Sequence, residues 1–135
     1  MSAETVVLDA SVGALWFCGA PSSREALAML EDLATGRIDI VVPSHFVDEV
    51  LETVKRDLGP GGVVPAWDAL VDLDLGLVPL SDDVVGEAAR QSGALGCPFA
   101  DALSPAVAAL LGVPLVSANG RAHGSFPGVR LLQSA

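Results

Sequence analysis

The sequence predicts an α/β protein: a three-layer α/β/α domain around a central parallel sheet of four to five short strands. Two observations predict it. Short apolar runs (Val6 to Leu8, Ile38 to Val42, Leu77 to Leu80, Val113 to Ser117) alternate with longer stretches whose apolar residues recur at helical spacing. Most of these runs are apolar at successive positions, as in strands buried on both faces. Helices between successive strands imply crossovers and a parallel sheet.

Thr5 to Asp9 reads as strand one, and Val12 to Cys18 as a short apolar helix. Pro21-Ser22-Ser23 restarts the chain, with Ser22 or Ser23 as cap. Ala26, Leu27, Leu30 and Leu33 then mark a helix ending near Gly36, a C′ residue. Ile38 to Val42 is strand two. The helix after Pro43-Ser44 carries Phe46, Val47, Val50, Leu51 and Val54 on its apolar side. Gly59-Pro60-Gly61-Gly62 is a breaker between helices. It is not a phosphate-binding loop, because no Gly-Lys-Ser/Thr follows. Pro65 to Leu73 reads as a helix with Trp67 and Leu70 inward, and Leu77 to Leu80 as strand three. Ser81-Asp82-Asp83 caps a helix running to about Ser92. Phe99 to Leu111 is helical, with Pro98 suited to its first turn. Pro105 either kinks it or, with Ser104, begins a new helix. Val113 to Ser117 is strand four, Ala118 to Gly124 a turn or short helix, and Val129 to Leu132 a last edge strand.

A length of 135 residues suits one domain spanning 1–135. At 51% hydrophobic and 18% charged residues, the composition is that of a folded chain. No apolar run reaches bilayer length, and Met1-Ser2-Ala3-Glu4 lacks a basic leader, so a cytoplasmic protein without membrane attachment is expected. Cys18 and Cys97 have no metal-type spacing and read as small core residues. Seventeen acids against seven bases give a net charge of −10. That excludes a broad, nonspecific nucleic-acid binder, which needs a positive footprint. It leaves room for an enzyme that handles RNA through a small metal-filled cleft, and for a partner with a basic segment.

Most acids fall on faces that read as solvated. Asp9, Glu49 and Asp101 instead lie beside apolar sequence, each near a strand–helix junction. In open parallel sheets ligands bind beyond the carboxyl ends of the strands. Asp9 is thus a site candidate, with an N-cap role as the alternative. Three converging carboxylates would not all ionise unaided, and a divalent cation with hard oxygen ligands resolves that.

The ordered stretches resemble those of PIN-domain ribonucleases, in particular VapC-like toxins of type II toxin–antitoxin pairs. Val7-Leu8-Asp9-Ala10-Ser11 resembles the first acidic motif, and Val42-Pro43-Ser44 with Glu49-Val50 the second. Asp101-Ala102-Leu103 and then Leu111 to Ala118 resemble the third motif and the strand after it. The resemblance covers Val6 to about Leu132. It implies a PIN-like domain and metal-dependent hydrolysis of RNA phosphodiesters. Asp9, Glu49 and Asp101 would hold Mg²⁺ or Mn²⁺, and Ser11 would be the hydroxyl that orients a water or phosphate. It further implies a cognate antitoxin whose C-terminal segment crosses the groove, and a homodimer.

The departure is Asn119, where the family usually has a fourth acid. An amide can help position a water or the phosphate but cannot act as a base. Asp48 and Glu52 are candidates to compensate. A competing reading follows: a catalytically weakened or inactive PIN-fold binding module that acts through a protein partner. His45 and His123 match no nucleophile arrangement, Ser104 has no partner His, and Arg121 reads as a solvated turn residue before a phosphate contact. Trp16 and Trp67 read as core or interface residues, since no basic stripe accompanies them. A response-regulator-like domain fits worse: no acidic pair ends strand one and no Lys follows a late strand.

Overall fold

Strand β1 (Glu4–Leu8) lies at the centre of the sheet because both of its faces are apolar: Val6, Val7 and Leu8 are at most 1% exposed. The computed structural model describes residues 3–19 and 23–132. Five strands run in the order β3-β2-β1-β4-β5, with β2 Ile38–Pro43, β3 Gly76–Val78, β4 Leu115–Ser117 and β5 Arg130–Leu131. Every pairing is parallel, with Val6 opposite Ile40 and Leu8 opposite Val116.

Alternation along β1 sends side chains into two cores. Val6 and Leu8 join Ile38, Ile40 and Val42 under α1 (Ala10–Leu15), α2 (Ser23–Ala34), α3 (Phe46–Leu58) and α4 (Val63–Val71). Val7 and Leu115 face α5 (Asp82–Leu95), α6 (Leu103–Leu111) and Ala122 of α7 (Gly120–His123). These are the three layers the pattern predicts. The expected ends hold in several places. Gly36 has φ +75° just past α2, where a side chain would be strained. The Ser81 hydroxyl accepts the Val84 N–H at 3.2 Å. Of the two serines read as the cap of α2, Ser22 lies outside the described residues and Ser23 is the first helical residue.

Some expectations change. Trp67 is 47% exposed while Leu70 is 4% exposed, so Trp67 does not point inward. Ala66 and Leu70 form the buried i, i+4 pair, and Trp67 falls one step round the helix. A short 3₁₀ turn at Phe99–Ala102 precedes α6, so Pro105 does not kink one long helix; the new-helix alternative holds, with α6 starting at Leu103, one residue ahead of Ser104-Pro105. Pro105 sits in the first turn of α6, where its missing N–H has no intrahelical partner to lose. Strand β4 pairs only from Leu115, after the αL residue Gly112 and Pro114. Among the described residues, no single helix is long and apolar enough to cross a membrane.

The chain runs outward from β1 through β2 to β3, then crosses back to β4. The order therefore reverses between β1 and β4, and their carboxyl ends mark the crevice where open α/β sheets bind ligands.

Candidate functional site

Asp9 is the residue between the end of β1 and the start of α1, and its two oxygens serve both readings of it. Oδ2 accepts the Ser11 N–H at 3.0 Å, capping α1. Oδ1 accepts the Ser104 hydroxyl, from α6, at 2.6 Å. The backbone N–H of Asp9 still bonds to the Val116 carbonyl at 3.0 Å, so the cap is anchored to β4.

Ser11 and Ser117 join the two strand tips. The Ser11 hydroxyl accepts the Ala118 N–H at 3.0 Å and lies 3.5 Å from the Ser117 hydroxyl. Ser117, fully buried, accepts the Asn119 N–H at 2.9 Å and lies 2.7 Å from His123 Nδ1. His123 is also fully buried. Its Nε2 is 2.6 Å from the Asp101 carbonyl and 4.0 Å from Asp9 Oδ1. Asn119 caps α7, its Oδ1 accepting the Ala122 N–H at 3.1 Å. Because a backbone N–H can only donate, the amide nitrogen is the Asn119 group left to donate elsewhere.

Glu49 stands in the first turn of α3, where its Oε1 meets His45 Nε2 at 2.7 Å. Burial alone lowers the His45 pKa. The hydrogen bond and charge of Glu49, the nearby Ala100 carbonyl and the charge of Asp9 outweigh that, so the pKa is raised. The ring's Nδ1 is buried without a hydrogen bond of good geometry; Ala100 favours the protonated ring by proximity.

Asp101 closes the site from the 3₁₀ turn ahead of α6. Its pKa is raised, first by burial, then by the negative charges of Asp9 and Glu49, against the opposing pull of His123 and His45. The three predicted carboxylates are therefore brought within electrostatic reach at one sheet edge. Asp48 and Glu52, both exposed, are not among the charges acting on Asp101. Asp101, Asn119 and Arg121 line one cleft of about 270 Å³ with Cys97 and Pro98. The Cys97 thiol is pushed up by burial and by the charges of Asp101 and Asp9, so it is a weak nucleophile. Cys18, also a free thiol, is only half-buried.

Sequence reasoning missed the supporting groups. Ser104 was weighed only as a nucleophile, yet it is 2% exposed and holds Asp9. His45 and His123 were set aside for want of a catalytic motif. The signal that was available is their position, one just ahead of Glu49 and the other just past the β4 tip.

The donor chemistry suits a hard cation: Asp9 follows β1, Glu49 lies in the first turn of α3 and Asp101 lies in the turn ahead of α6, and the charges of Asp9 and Glu49 raise the cost of ionising Asp101, which a shared positive charge would relieve. It is not a preformed chelate. Among the described residues no three His, Cys, Asp or Glu side chains are close enough to hold one ion together. One or two direct carboxylates with waters between, the usual Mg²⁺ arrangement, fits these residues.

The PIN-domain family model matches residues 6–125. No match to a curated protein was found. Solved structures share the fold. A toxin–antitoxin complex from Klebsiella pneumoniae superposes with a TM-score of 0.74 at 19% identity, covering 96% of this chain and 99% of that one. VapC20 from Mycobacterium tuberculosis, described as a sarcin–ricin-loop-cleaving toxin, gives 0.70 at 17% identity over 93% and 98% of the two chains. VapBC2 from Rickettsia felis, bound to a promoter DNA fragment, gives 0.70 at 18% identity over 94% and 96%.

Proposed function

Because the chain belongs to the PIN-domain family, we propose that it is a Mg²⁺- or Mn²⁺-dependent endoribonuclease, the toxin of a type II toxin–antitoxin pair, acting as one domain over residues 1–135. The observation that carries the reading is the placement of Asp9 at the β1–β4 reversal, held by Ser104, with Asp101 tied to the β4 tip through His123 and Glu49 near enough for its charge to act on Asp101. Asp9, Glu49 and Asp101 would hold the ion. Bound there, it would acidify a water and offset charge on the phosphodiester. Asp9 is held for this by Ser104 and by its own cap. Ser11, tied to Ala118, keeps its hydroxyl at the strand tips, where it can orient a water or a phosphate oxygen. Asn119 offers a donor amide to the phosphate and Arg121 a cation. The proposed partners are RNA and a cognate antitoxin, the complexes of similar fold supporting the second, and a second copy of the chain.

Asn119 favours a second reading, a weakened or inactive module acting through its partner, because its side-chain oxygen is occupied as a cap. Both are tested by Mn²⁺ titration and RNA cleavage by the full chain, with Asp9→Asn, Asp101→Asn and Asn119→Asp. Metal-dependent cleavage lost in the first two supports the nuclease. Cleavage unchanged in them refutes the site, and cleavage seen only in Asn119→Asp favours the second reading.

A further inference from the structure

We propose that His123 is a positioning residue: its fully buried ring ties the peptide of Asp101 to the tip of β4 and so sets where that carboxylate stands relative to Asp9. The two contacts fix its chemistry. The Asp101 carbonyl can only accept, so Nε2, 2.6 Å away, carries the hydrogen. In the neutral ring Nδ1 then accepts from the Ser117 hydroxyl at 2.7 Å. Ser117 in turn accepts the Asn119 N–H. One hydrogen-bonded path thus joins the Asn119 corner, through His123, to the Asp101 turn 22 residues before that histidine.

The path has something to hold against. Asp101 sits in a short 3₁₀ turn secured by its own N–H to Pro98 at 3.0 Å and by the Leu103 N–H to the Ala100 carbonyl. Such turns hydrogen-bond less well than α-helix. The charges of Asp9 and Glu49 repel the Asp101 carboxylate. Asp9 is itself pinned to α6 by Ser104, and at 4.0 Å its Oδ1 lies beyond a hydrogen bond from His123. The ring therefore acts through the Asp101 backbone, not by bonding Asp9. An apolar residue would fill the same space without two polar atoms to satisfy, so space-filling does not account for an imidazole here.

The affinity arm of the test rests on the metal-site reading above; the nitrogen arm does not. In the full chain without metal, imidazole ¹⁵N shifts should show His123 protonated at Nε2 and bare at Nδ1, and His123→Leu should move the Asp101 carbonyl ¹³C signal. The reverse tautomer, or an unmoved Asp101, overturns the proposal. Calorimetry with Mn²⁺ alone supplies the second arm. Loss of such an outer contact typically weakens metal binding about 10- to 100-fold, so His123→Leu should weaken it at least about tenfold. His123→Gln, which retains a donor toward the Asp101 carbonyl, should rescue most of that loss. Equal loss in both variants, or none in His123→Leu, overturns the role. If wild-type protein binds no Mn²⁺ while the nitrogen arm holds, the metal reading falls and the positioning role stands. If His123→Leu does not fold, Ser117→Ala replaces it. With its hydroxyl partner gone, the Nδ1 signal should shift while Nε2 keeps its hydrogen toward the Asp101 carbonyl, and an unmoved Nδ1 signal would overturn the proposal.

Discussion

Gly13→Ala tests whether the two helices that carry the first two acids pack as closely as the site requires. Gly13 lies in α1, four residues past Asp9, and α1 packs on α3, the helix of Glu49. A Cβ at Gly13 would fall 2.4 Å from Phe46 Cζ and 2.9 Å from Val50 Cγ2. Carbon atoms prefer separations of about 3.5–4.0 Å, so Phe46 would have to give by about 1 Å. The ring is poorly placed to do so. It is fully buried and meets Trp16 edge-on at 6.1 Å, and Trp16 is itself tied to the Ala26 carbonyl at 3.0 Å. Overpacking of this kind costs about 1–3 kcal/mol, against about 1 kcal/mol gained by replacing a helical glycine with alanine. The expected net is a loss of about 1 kcal/mol, or about 3–5 °C in melting temperature for a chain of this size. Urea and thermal unfolding measure it. Phe46→Leu in the same chain should absorb part of the clash, giving a coupling of about 1 kcal/mol in a double-mutant cycle. If Gly13→Ala raises the melting temperature and the two changes add independently, the close approach of α1 to α3 is wrong, and with it the placement of the Asp9-capped helix against the helix of Glu49.

Asp101→Asn should stabilise the metal-free protein at pH 7 while removing a carboxylate of the proposed metal site. A carboxyl whose folded pKa is raised above the ordinary aspartate value binds its proton more tightly in the native state. The native state is therefore favoured at low pH and loses that advantage as pH rises through the two pKa values. The gain from Asp101→Asn, about 1 kcal/mol as is common for relief of an adverse charge, should shrink as pH falls through the raised folded pKa and vanish below the ordinary aspartate range. A wild-type protein more stable than the variant at pH 7 without metal would contradict the repulsion. Leu70→Ala should cost about 2–5 kcal/mol in urea unfolding and Trp67→Ala less than about 1 kcal/mol, despite the larger side chain removed. The reverse order would put Trp67 back in the core, where sequence periodicity had placed it.

The layers, the parallel sheet and the strand-end position of Asp9 were legible because each rests on local pattern. Apolar runs such as Val6-Val7-Leu8 need cover on both faces, and Asp9 interrupts its run at the one place where an open sheet exposes a strand end. What stayed hidden depends on contacts between distant segments. Ser104 reaches Asp9 across 95 residues, and His123 reaches the Asp101 carbonyl across 22. A motif search that looks for catalytic histidines passes over a histidine whose partners are a serine and a backbone carbonyl. Trp67 was misplaced for a smaller reason. One helical step separates it from the buried Ala66, and composition alone does not tell which face of a short apolar helix is covered.

Asn119 is the position where structure and chemistry pull apart. Its side-chain oxygen caps α7, and Asp would cap equally well, so nothing in the local backbone demands an amide. The difference is charge. A fourth carboxylate beside Asp101 in the same cleft would add a third negative neighbour to the two that already raise its pKa. With an amide there, the metal-free site carries less self-repulsion, and the cleft instead presents a donor amide and the Arg121 guanidinium to an anion. The same substitution lowers the charge available to hold a second cation. On the proposed reading, three acids and a donor corner are thus better matched to one cation and a phosphate than to two cations, and the hydrogen bonds through Ser104, Ser117 and His123 hold Asp9 and Asp101 in place for it while His45 holds Glu49.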